Sequence, residues 1–208
     1  MSVKSITATR ILDAAEALFA DLGYDAVSIR AITDKADVRL NLLHYHFGTK
    51  EALFEAVIAR RMVVLNTCRQ DALSKVPTGM GRDIVAEILS AFVRPYLELA
   101  TSSENGWASY ARLIAQISQS NRHLPLLQSH MDETAQLFIE ALNAALPQAP
   151  RHSVARAFMF TAALMVSVFS GVARIDGLTG GAITGGDLEG AIDPLLAYSL
   201  AGFLEICG

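Results

Sequence analysis

The sequence predicts an all-α fold, and three observations support this prediction. Apolar residues recur at helical spacing in successive runs along the chain, whereas no run alternates convincingly as a β-strand. Glycine, proline and capping residues separate these runs at the positions where helices begin and end. Hydrophobic residues make up 52% of the 208 residues, so a large core is available. We expect about nine helices.

Residues 5–22 are expected to form the first helix, with Ser5 or Thr7 as its N-cap and Gly23 just past its end. A helix with an apolar stripe must bury that stripe, and the two short helices that follow are its nearest partners. We therefore expect a small three-helix core in this part of the chain. The stripe consists of Ile11, Ala15, Leu18 and Leu22.

Two short helices around a tight turn are predicted next. Ser28 is a favourable N-cap for the first of them, and Asp37 falls in the turn, where Asp tolerates a positive φ. The second short helix covers residues 39–46, and Gly48 stops it. Two short helices around a turn of three or four residues form a helix-turn-helix.

The second short helix carries more polar and aromatic side chains than a solvated helix face needs. In the major groove of DNA, Arg can donate two hydrogen bonds to guanine, Asn can pair with adenine, and Leu can contact the thymine methyl group. Lys50 lies just past this helix, where it could neutralise a phosphate. The sequence therefore predicts double-stranded DNA as a partner. The predicted contact residues are Ser28, Arg30, Arg39, Leu40, Asn41, His44, Tyr45 and Lys50.

Six further helices are expected along the rest of the chain. The first is long and joins the two halves of the molecule, and we expect its basic residues Arg60, Arg61 and Arg69 to be solvated. Pro95 falls inside the next helix, where it either makes a simple tolerated kink or bends the helix and opens a cavity. The expected helices cover 50–75, 82–101, 104–120, 125–146, 151–175 and 193–206.

The helix at 151–175 is apolar almost all round, with no charged residue from 157 to 173. A membrane span is disfavoured because Ser and Thr interrupt the run, which is near the low end of the ~17–25 residues that a span needs. A helix that is this apolar must be buried on several sides. One side can face the core of its own subunit, and another can face a second subunit. Residues 177–186 read as a flexible glycine-rich linker, Asp187 as the start of a helical turn, and Asp193-Pro194 as the start of the last helix.

Formal charge does not single out the helix-turn-helix region. The net charge is −4, and residues 1–50 carry six Lys or Arg against six Asp or Glu. A neutral region is not a strong electrostatic footprint for DNA binding. The basic residues Arg30, Lys35, Arg39 and Lys50 could nevertheless lie on one side of the region, with the acidic residues on the other.

The sequence predicts no metal, no cofactor and no catalytic site. Cys68 and Cys207 are far apart and match no metal spacing, so we expect free thiols in a reducing compartment. The five histidines include no HExxH motif, and neither a GxSxG motif nor a Gly-rich phosphate loop is present. We therefore predict that the chain is not an enzyme. The first residues contain no apolar signal segment, so we expect a cytoplasmic protein.

The N-terminal quarter of the chain resembles the DNA-binding domain of tetracycline-repressor-like (TetR-family) regulators. The resemblance rests on Ala14, Leu18, Phe19, Gly23, Tyr24, Ser28, Ile29, Ile32, Ala36, Val38, Leu43, His46, Phe47, Lys50, Glu51, Leu53 and Phe54. Four residues depart from the family pattern: Asp37, Arg39, Asn41 and His44 stand where Gly, Ser, Gly and Tyr are usual. That tyrosine commonly contacts a phosphate, and His44 would do so more strongly when protonated.

The resemblance implies a repressor that binds a DNA operator as a homodimer and is released by a small hydrophobic or aromatic effector. Residues 1–49 would form the DNA-binding domain, and residues 50–208 the ligand-binding and dimerisation domain. The helices at 151–175 and 193–206 would pair with their copies in the second subunit. The resemblance also implies an effector pocket, for which the candidates are Phe92, Tyr96, Trp107, Tyr110, Phe138, Met159 and Phe169.

Two alternatives stay open at the level of the sequence. An aromatic residue at helical spacing fits a plain core position as well as a pocket, and Gln116 and His130 fit either polar ligand contacts or the surface. A helical regulator controlled by a protein partner, rather than by a small ligand, would share the same fold.

Overall fold

The computed structural model describes residues 3–102, 106–170 and 172–207, and their side chains except those of residues 3–5 and 169–173. This part of the chain forms ten α-helices and no β-strand, which confirms the all-α prediction. A short 3₁₀ turn, Asn121–His123, precedes α7. The helices are α1 (Val3–Leu22), α2 (Ile29–Ala36), α3 (Leu40–Phe47), α4 (Lys50–Ser74), α5 (Arg82–Thr101), α6 (Trp107–Ile117), α7 (Leu124–Ala145), α8 (Arg151–Ser170), α9 (Val172–Leu178) and α10 (Leu188–Cys207).

The first three helices pack around a small apolar core, as the stripe of α1 predicts. Phe19 of α1, Ile32 of α2 and Leu43 of α3 are completely buried. The ring of Phe54 in α4 stands edge-on to Phe19, with the ring centroids 5.1 Å apart. Leu22 was expected in the stripe but is 58% exposed, because α1 ends there. This N-terminal bundle therefore rests on the first turns of α4.

The remaining helices form a larger bundle, in which α10 packs against α5 and α8, and α4 packs against α5 and α7. Phe92 of α5, Phe138 of α7 and Phe158 of α8 form an aromatic cluster at its centre. Their ring centroids are 4.6 to 6.5 Å apart. Since α4 packs against helices of both bundles, it is the continuous link between them.

A second link between the bundles is α6, which packs against α1. The side-chain amide of Gln116 in α6 donates a 2.8 Å hydrogen bond to the backbone carbonyl of Ala20 in α1. Beside it, Arg112 and Asp21 form an ion pair at 3.2 Å. Both α4 and α6 therefore hold the N-terminal bundle against the larger one.

Arg60 and Arg61 are not free in solvent, contrary to the expectation from the sequence, because both bind Glu16 of α1. The Glu16 side chain is only 2% exposed. Its carboxylate accepts a 3.0 Å hydrogen bond from Arg60 and bonds of 2.9 and 2.8 Å from Nε and Nη2 of Arg61. The Arg61 guanidinium also lies 5.0 Å from the ring centroid of Trp107 in α6. A buried ion cluster therefore joins α1 to α4 where α6 begins.

Residues 151–170 and 172–178 are helical, as α8 and α9, in the region where a helix was expected at 151–175, and Gly171 between them lies outside the described residues. The linker expected at 177–186 is partly ordered by local hydrogen bonds. The hydroxyl of Thr179 accepts a bond from the backbone N–H of Ile183 at 3.1 Å, which closes a turn.

The last helix begins at Leu188, so the predicted start at Asp193-Pro194 was wrong. The physical reason is a competing cap: the Asp187 carboxylate accepts a 2.8 Å hydrogen bond from the backbone N–H of Gly190. Pro194 therefore lies inside α10, while the Asp193 side chain pairs with an arginine of α5.

Within the described residues, α10 is the single helix long and apolar enough to span a membrane. The described part of the run at 151–175 does not meet the same criterion. One such helix is weak evidence for a span, because helices of soluble proteins often pass this test. Only 22% of the most apolar 18-residue stretch of α10 is buried inside the structure, so much of the surface of α10 is exposed for contacts with another molecule.

Candidate nucleic-acid interface and ligand cavity

The helix-turn-helix is fixed at its turn by one non-glycine residue in the left-handed region. Ser28 caps α2 by accepting a 3.1 Å hydrogen bond from the backbone N–H of Ala31. Asp37 ends α2 with φ 50° and ψ 55°, and its N–H donates to the carbonyls of the last turn. Arg10 of α1 then donates to both the carbonyl and the carboxylate of Asp37, at 3.0 and 3.1 Å. This turn sets the direction in which α3 leaves α2.

α3 is a short helix with a narrow buried stripe and a wide exposed face. Leu43 is completely buried, while Leu40 is 51% and Tyr45 is 64% exposed. Arg39, which precedes the first turn, is exposed, as are Asn41 and His44. All the residues that the sequence assigns to DNA contact on this helix therefore lie outside the core.

His44 is oriented by its own loop. Its Nδ1 lies 2.8 Å from the backbone carbonyl of Gly48, and because a carbonyl only accepts, Nδ1 carries the proton. Nε2 is therefore left for an outside partner, as an acceptor when the ring is neutral and as a donor when it is protonated.

Lys50 is held at the start of α4 by Tyr24. Its Nζ lies 4.3 Å from the centroid of the Tyr24 ring. The Tyr24 hydroxyl donates a 2.9 Å hydrogen bond to Glu51. Burial, and next this bond, raise the pKa of Tyr24 to about 12. The pKa of Glu51 is lowered, first by a bond from its own backbone N–H in the first turn and then by Tyr24. The first turn of α4 therefore presents Lys50 from an ordered base.

The balanced charge of residues 1–50 conceals a set of unpaired cations. Five of the six acidic residues in this region are paired, and four of those five bind arginines beyond residue 50: Asp13 with Arg60, Glu16 with Arg60 and Arg61, Asp21 with Arg112, and Asp25 with Arg122. No ion pair within the described residues holds the exposed or half-exposed cations Arg30, Lys35, Arg39 and Lys50. Folding therefore leaves positive charge on and around the helix-turn-helix, which the formal count does not reveal.

The larger bundle contains a cavity of about 290 Å³ between α4, α5, α6, α7 and α8. Four of the seven residues assigned to effector binding line it: Phe92, Tyr96, Tyr110 and Met159. Trp107 and Phe138 are buried beside it and do not line it, and the side chain of Phe169 lies outside the described residues. Phe92 and Tyr96 lie on either side of Pro95 in the sequence, and both line the cavity.

Gln116 and His130, proposed from the sequence as polar contacts, do not line this cavity. Gln116 is engaged with Ala20 instead. The backbone carbonyl of His130 accepts a 2.8 Å hydrogen bond from Asn66 of α4.

Arg69 is the cavity residue that the sequence pattern did not reveal, because it was expected to be solvated. It is 5% exposed, and it lines the cavity with Met62 and Leu65 of the same helix. Its Nε donates a 3.0 Å hydrogen bond to the carbonyl of Phe92, and its guanidinium carbon lies 4.0 Å from the Phe92 ring centroid. Burial lowers the pKa of Arg69 to about 10, which leaves it cationic at neutral pH. The available signal was its spacing of four residues from buried Leu65, which places both on one helix face.

Comparison with known proteins identifies the class. Residues 11–57 match the family model described as "Bacterial regulatory proteins, tetR family". Residues 90–202, more than half of the chain, match the model described as "Tetracyclin repressor-like, C-terminal domain". This chain belongs to the TetR family. The TetR assignment agrees with the resemblance of the N-terminal residues and extends it to the larger bundle.

Individual relatives of this TetR-family chain are distant. The HTH-type transcriptional repressor KstR from Rhodococcus jostii (strain RHA1) is 32% identical over 85 residues, which span 41% of this chain and 40% of KstR. The fatty acid degradation regulator FadR from Bacillus halodurans has a similar structure, with TM-score 0.69 and 17% identity over 97% of both chains. A transcriptional regulator from Saccharomonospora viridis in complex with choline gives TM-score 0.61 at 18% identity, covering 97% of this chain and 96% of that one. At 17% and 18% identity, both similarities show a shared fold alone.

Proposed function

We propose that this TetR-family chain is a cytoplasmic, sequence-specific DNA-binding regulator that represses transcription as a homodimer and leaves its operator when a small molecule fills the cavity. The observation that best supports DNA binding is the exposed face of α3, next to cations that no acidic residue neutralises within the described part of the chain. The proposal includes no catalytic step.

Recognition by α3 requires that its exposed face enter the major groove. Arg39 and Asn41 are the residues that can read guanine and adenine, and Leu40 can contact a thymine methyl group. His44, Lys50, Ser28 and Arg30 then face the backbone, where cations and helix N-termini bind phosphate. A helix of eight residues offers few base contacts, so a second copy is needed for a specific site.

The homodimer is proposed to form through α8 and α10. Phe160 of α8 is 53% exposed and Tyr198 of α10 is 70% exposed. Both residues line a cleft of about 700 Å³ between the two helices, next to Ala163, Ala201 and Gly202. Small residues beside large apolar ones allow helices of two subunits to approach closely. Paired in this way, the two α3 helices should meet half-sites roughly 34–36 Å apart, or a multiple of this distance.

Control by a ligand is proposed to pass through α6. Tyr110 and Ile114 of α6 line the cavity, while Gln116 and Arg112 of the same helix contact α1. A ligand that binds more tightly to a state with α6 displaced would shift the population towards that state. The N-terminal bundles of the dimer would then no longer match two adjacent half-sites.

Selection of bound sequences from random double-stranded DNA tests the proposal. We expect an inverted repeat whose half-sites are about one helical turn apart, bound by the purified full-length chain as a dimer. If the Asn41→Ala variant no longer selects a particular base at one position of each half-site, that position is read by α3. Binding without sequence preference at moderate salt would contradict the proposal. Release of DNA only by a protein partner would show that such a partner, and not a small ligand, controls the regulator.

A further inference from the structure

We propose that the cavity takes a compact organic anion, a molecule with one carboxylate and an apolar body, and that Arg69 binds the carboxylate. This inference rests on the proposed function of the cavity as the effector site and names the chemical class of that effector.

The first argument is the charge of Arg69. A cation buried in an apolar interior is costly unless an anion neutralises it. Among the described residues no ion pair involves Arg69, whose hydrogen bonds go to the Phe92 carbonyl and, at 3.5 Å, to the Met165 sulfur. Only one acidic residue, Asp132, occurs in the described lining, and it is exposed and forms no ion pair with Arg69. The cavity thus holds a positive charge that no acidic side chain of the described residues pairs with.

The second argument is an unused hydroxyl in the same cavity. Tyr110 is completely buried, and its hydroxyl oxygen has no hydrogen-bond partner among the described residues. Tyr110 and Arg69 line the same cavity. A buried hydroxyl without a partner costs free energy. One carboxylate can accept from the guanidinium and from this hydroxyl together, which satisfies both groups.

The third argument is the nature and size of the remaining wall. Phe92, Phe158, Leu127, Met131 and Val166 supply apolar surface around Arg69. The volume of about 290 Å³ exceeds the ~150 Å³ cavity that holds benzene, and lies at the low end of known ligand sites. The occupant is therefore a small molecule with a ring or a short chain as its body. The exposed polar residues Ser118, Gln119 and Gln128 line the cavity as well, and they provide its contact with solvent.

Calorimetric titration of the full-length protein with matched probes tests the class. The probes are 2-naphthoate and octanoate, their amides 2-naphthamide and octanamide, and benzyltrimethylammonium as the cation. We expect the carboxylates to bind and to raise the melting temperature, and the amides to bind about 100-fold more weakly, as when one charge of a buried pair is lost. Failure of both carboxylates to bind, or binding of an amide or the cation as tightly as the matched carboxylate, overturns the proposal.

Substitutions of Arg69 and Tyr110 then test where the carboxylate of the probe binds. Arg69→Met removes the charge at similar length and should abolish the preference for carboxylate over amide, whereas Arg69→Lys should keep part of it. Because no acidic side chain of the described residues pairs with this charge, Arg69→Met should melt at the same temperature or higher without probes. Tyr110→Phe should weaken carboxylate binding about tenfold, the effect of one hydrogen bond to a charged group. Arg82→Met, at an exposed arginine away from the cavity, is the control and should change nothing.

An unchanged ratio of carboxylate to amide affinity in Arg69→Met contradicts the inference. If this variant fails to fold, an unchanged ratio in Tyr110→Phe and in Arg69→Lys contradicts it equally. Release of operator DNA separates the inference from the proposed function. Carboxylates that bind without releasing DNA leave the ligand class intact and refute ligand control, whereas release by the amides alone preserves ligand control and refutes the class.

Discussion

The carboxylate of Glu16 accepts two hydrogen bonds from the guanidinium of Arg61, of 2.9 and 2.8 Å, and the Glu16 side chain is only 2% exposed. Such a parallel pair fixes direction as well as distance. Since Glu16 belongs to α1 and Arg61 to α4, the pair sets how the N-terminal bundle sits on the long helix.

Removal of the Glu16 charge should therefore be strongly destabilising. Glu16→Gln removes the carboxylate that Arg61 pairs with and leaves Arg60 with the exposed Asp13 alone, and we expect the free energy of unfolding to fall by about 3 kcal/mol. Asp13→Asn is the matched control, because Asp13 pairs with Arg60 but is 57% exposed. It should cost about 0.5 kcal/mol or less. Denaturant titration measures both, and equal effects would show that burial of Glu16 is not what matters.

In the turn of the helix-turn-helix, by contrast, one substitution should increase the stability of the protein. Asp37 has φ 50°, a conformation that costs a residue with a Cβ about 1 kcal/mol relative to Gly. Asp37→Gly removes this strain and loses only an exposed ion pair with Arg10, so stability should rise by about 0.5 kcal/mol. Asp37→Ala keeps the strain and loses the pair, so it should destabilise. A stabilising Asp37→Ala in thermal unfolding would contradict this account.

Two variants separate base recognition from phosphate contact on DNA. Asn41→Ala should relax the preference at one base pair, at a cost of about 1–3 kcal/mol for the preferred sequence. Lys50→Ala should weaken binding to all sequences alike and reduce the salt dependence. Lys75→Ala, at an exposed lysine after α4, should have no effect. Fluorescence anisotropy over a series of salt concentrations and operator variants distinguishes them, and a base-specific loss in Lys50→Ala would reassign that residue.

The proposed dimer should dissociate when charge enters the face of α8 and α10. Tyr198→Glu places a carboxylate at a position that is 70% exposed in the monomer, where a partner helix would bury it without a counter-charge. We expect a monomer by analytical ultracentrifugation, with loss of operator affinity. Val63→Glu is the control, since Val63 of α4 is 66% exposed and lies outside this face. A dimeric Tyr198→Glu would place the interface elsewhere.

Contact between the N-terminal bundle and the start of α7 should weaken in mild acid. His123 packs against Tyr24 and Phe54, with ring centroids 5.6 and 5.1 Å away, and burial, followed by the neighbouring Arg122, lowers its pKa below the ordinary 6.5. The unfolded chain therefore takes up the proton first as the pH falls, and stability is lost progressively below about pH 6.5. His123→Leu should flatten this part of the stability profile relative to the wild type. Equal slopes for both proteins between pH 7 and roughly pH 5 would exclude His123 as the cause.

The sequence predicted the helix-turn-helix well because its signals are local. A cap at Ser28, a turn at Asp37 and a stop at Gly48 depend on neighbours a few residues away, and the structure has all three. The same holds for the apolar positions Ile32 and Leu43, whose spacing places them in the core.

The errors arose where a residue's surroundings are set by distant parts of the chain. Arg69 was taken as solvated because arginine usually is, and its burial follows from α5 and α8 closing over α4. The start of α10 was placed at Asp193-Pro194, a good local signal, but the cap at Asp187 takes precedence. The charge of the N-terminal region looked neutral because the arginines that pair with its acids lie beyond residue 50.

The Glu16 cluster has a consequence for chimeric regulators. A chimera that grafts residues 1–49 onto a foreign sensor would carry the buried carboxylate and leave both of its arginines behind, since Arg60 and Arg61 lie further along α4. A modular exchange of operator specificity should therefore move the splice point beyond Arg61, or supply matching cations in the recipient helix.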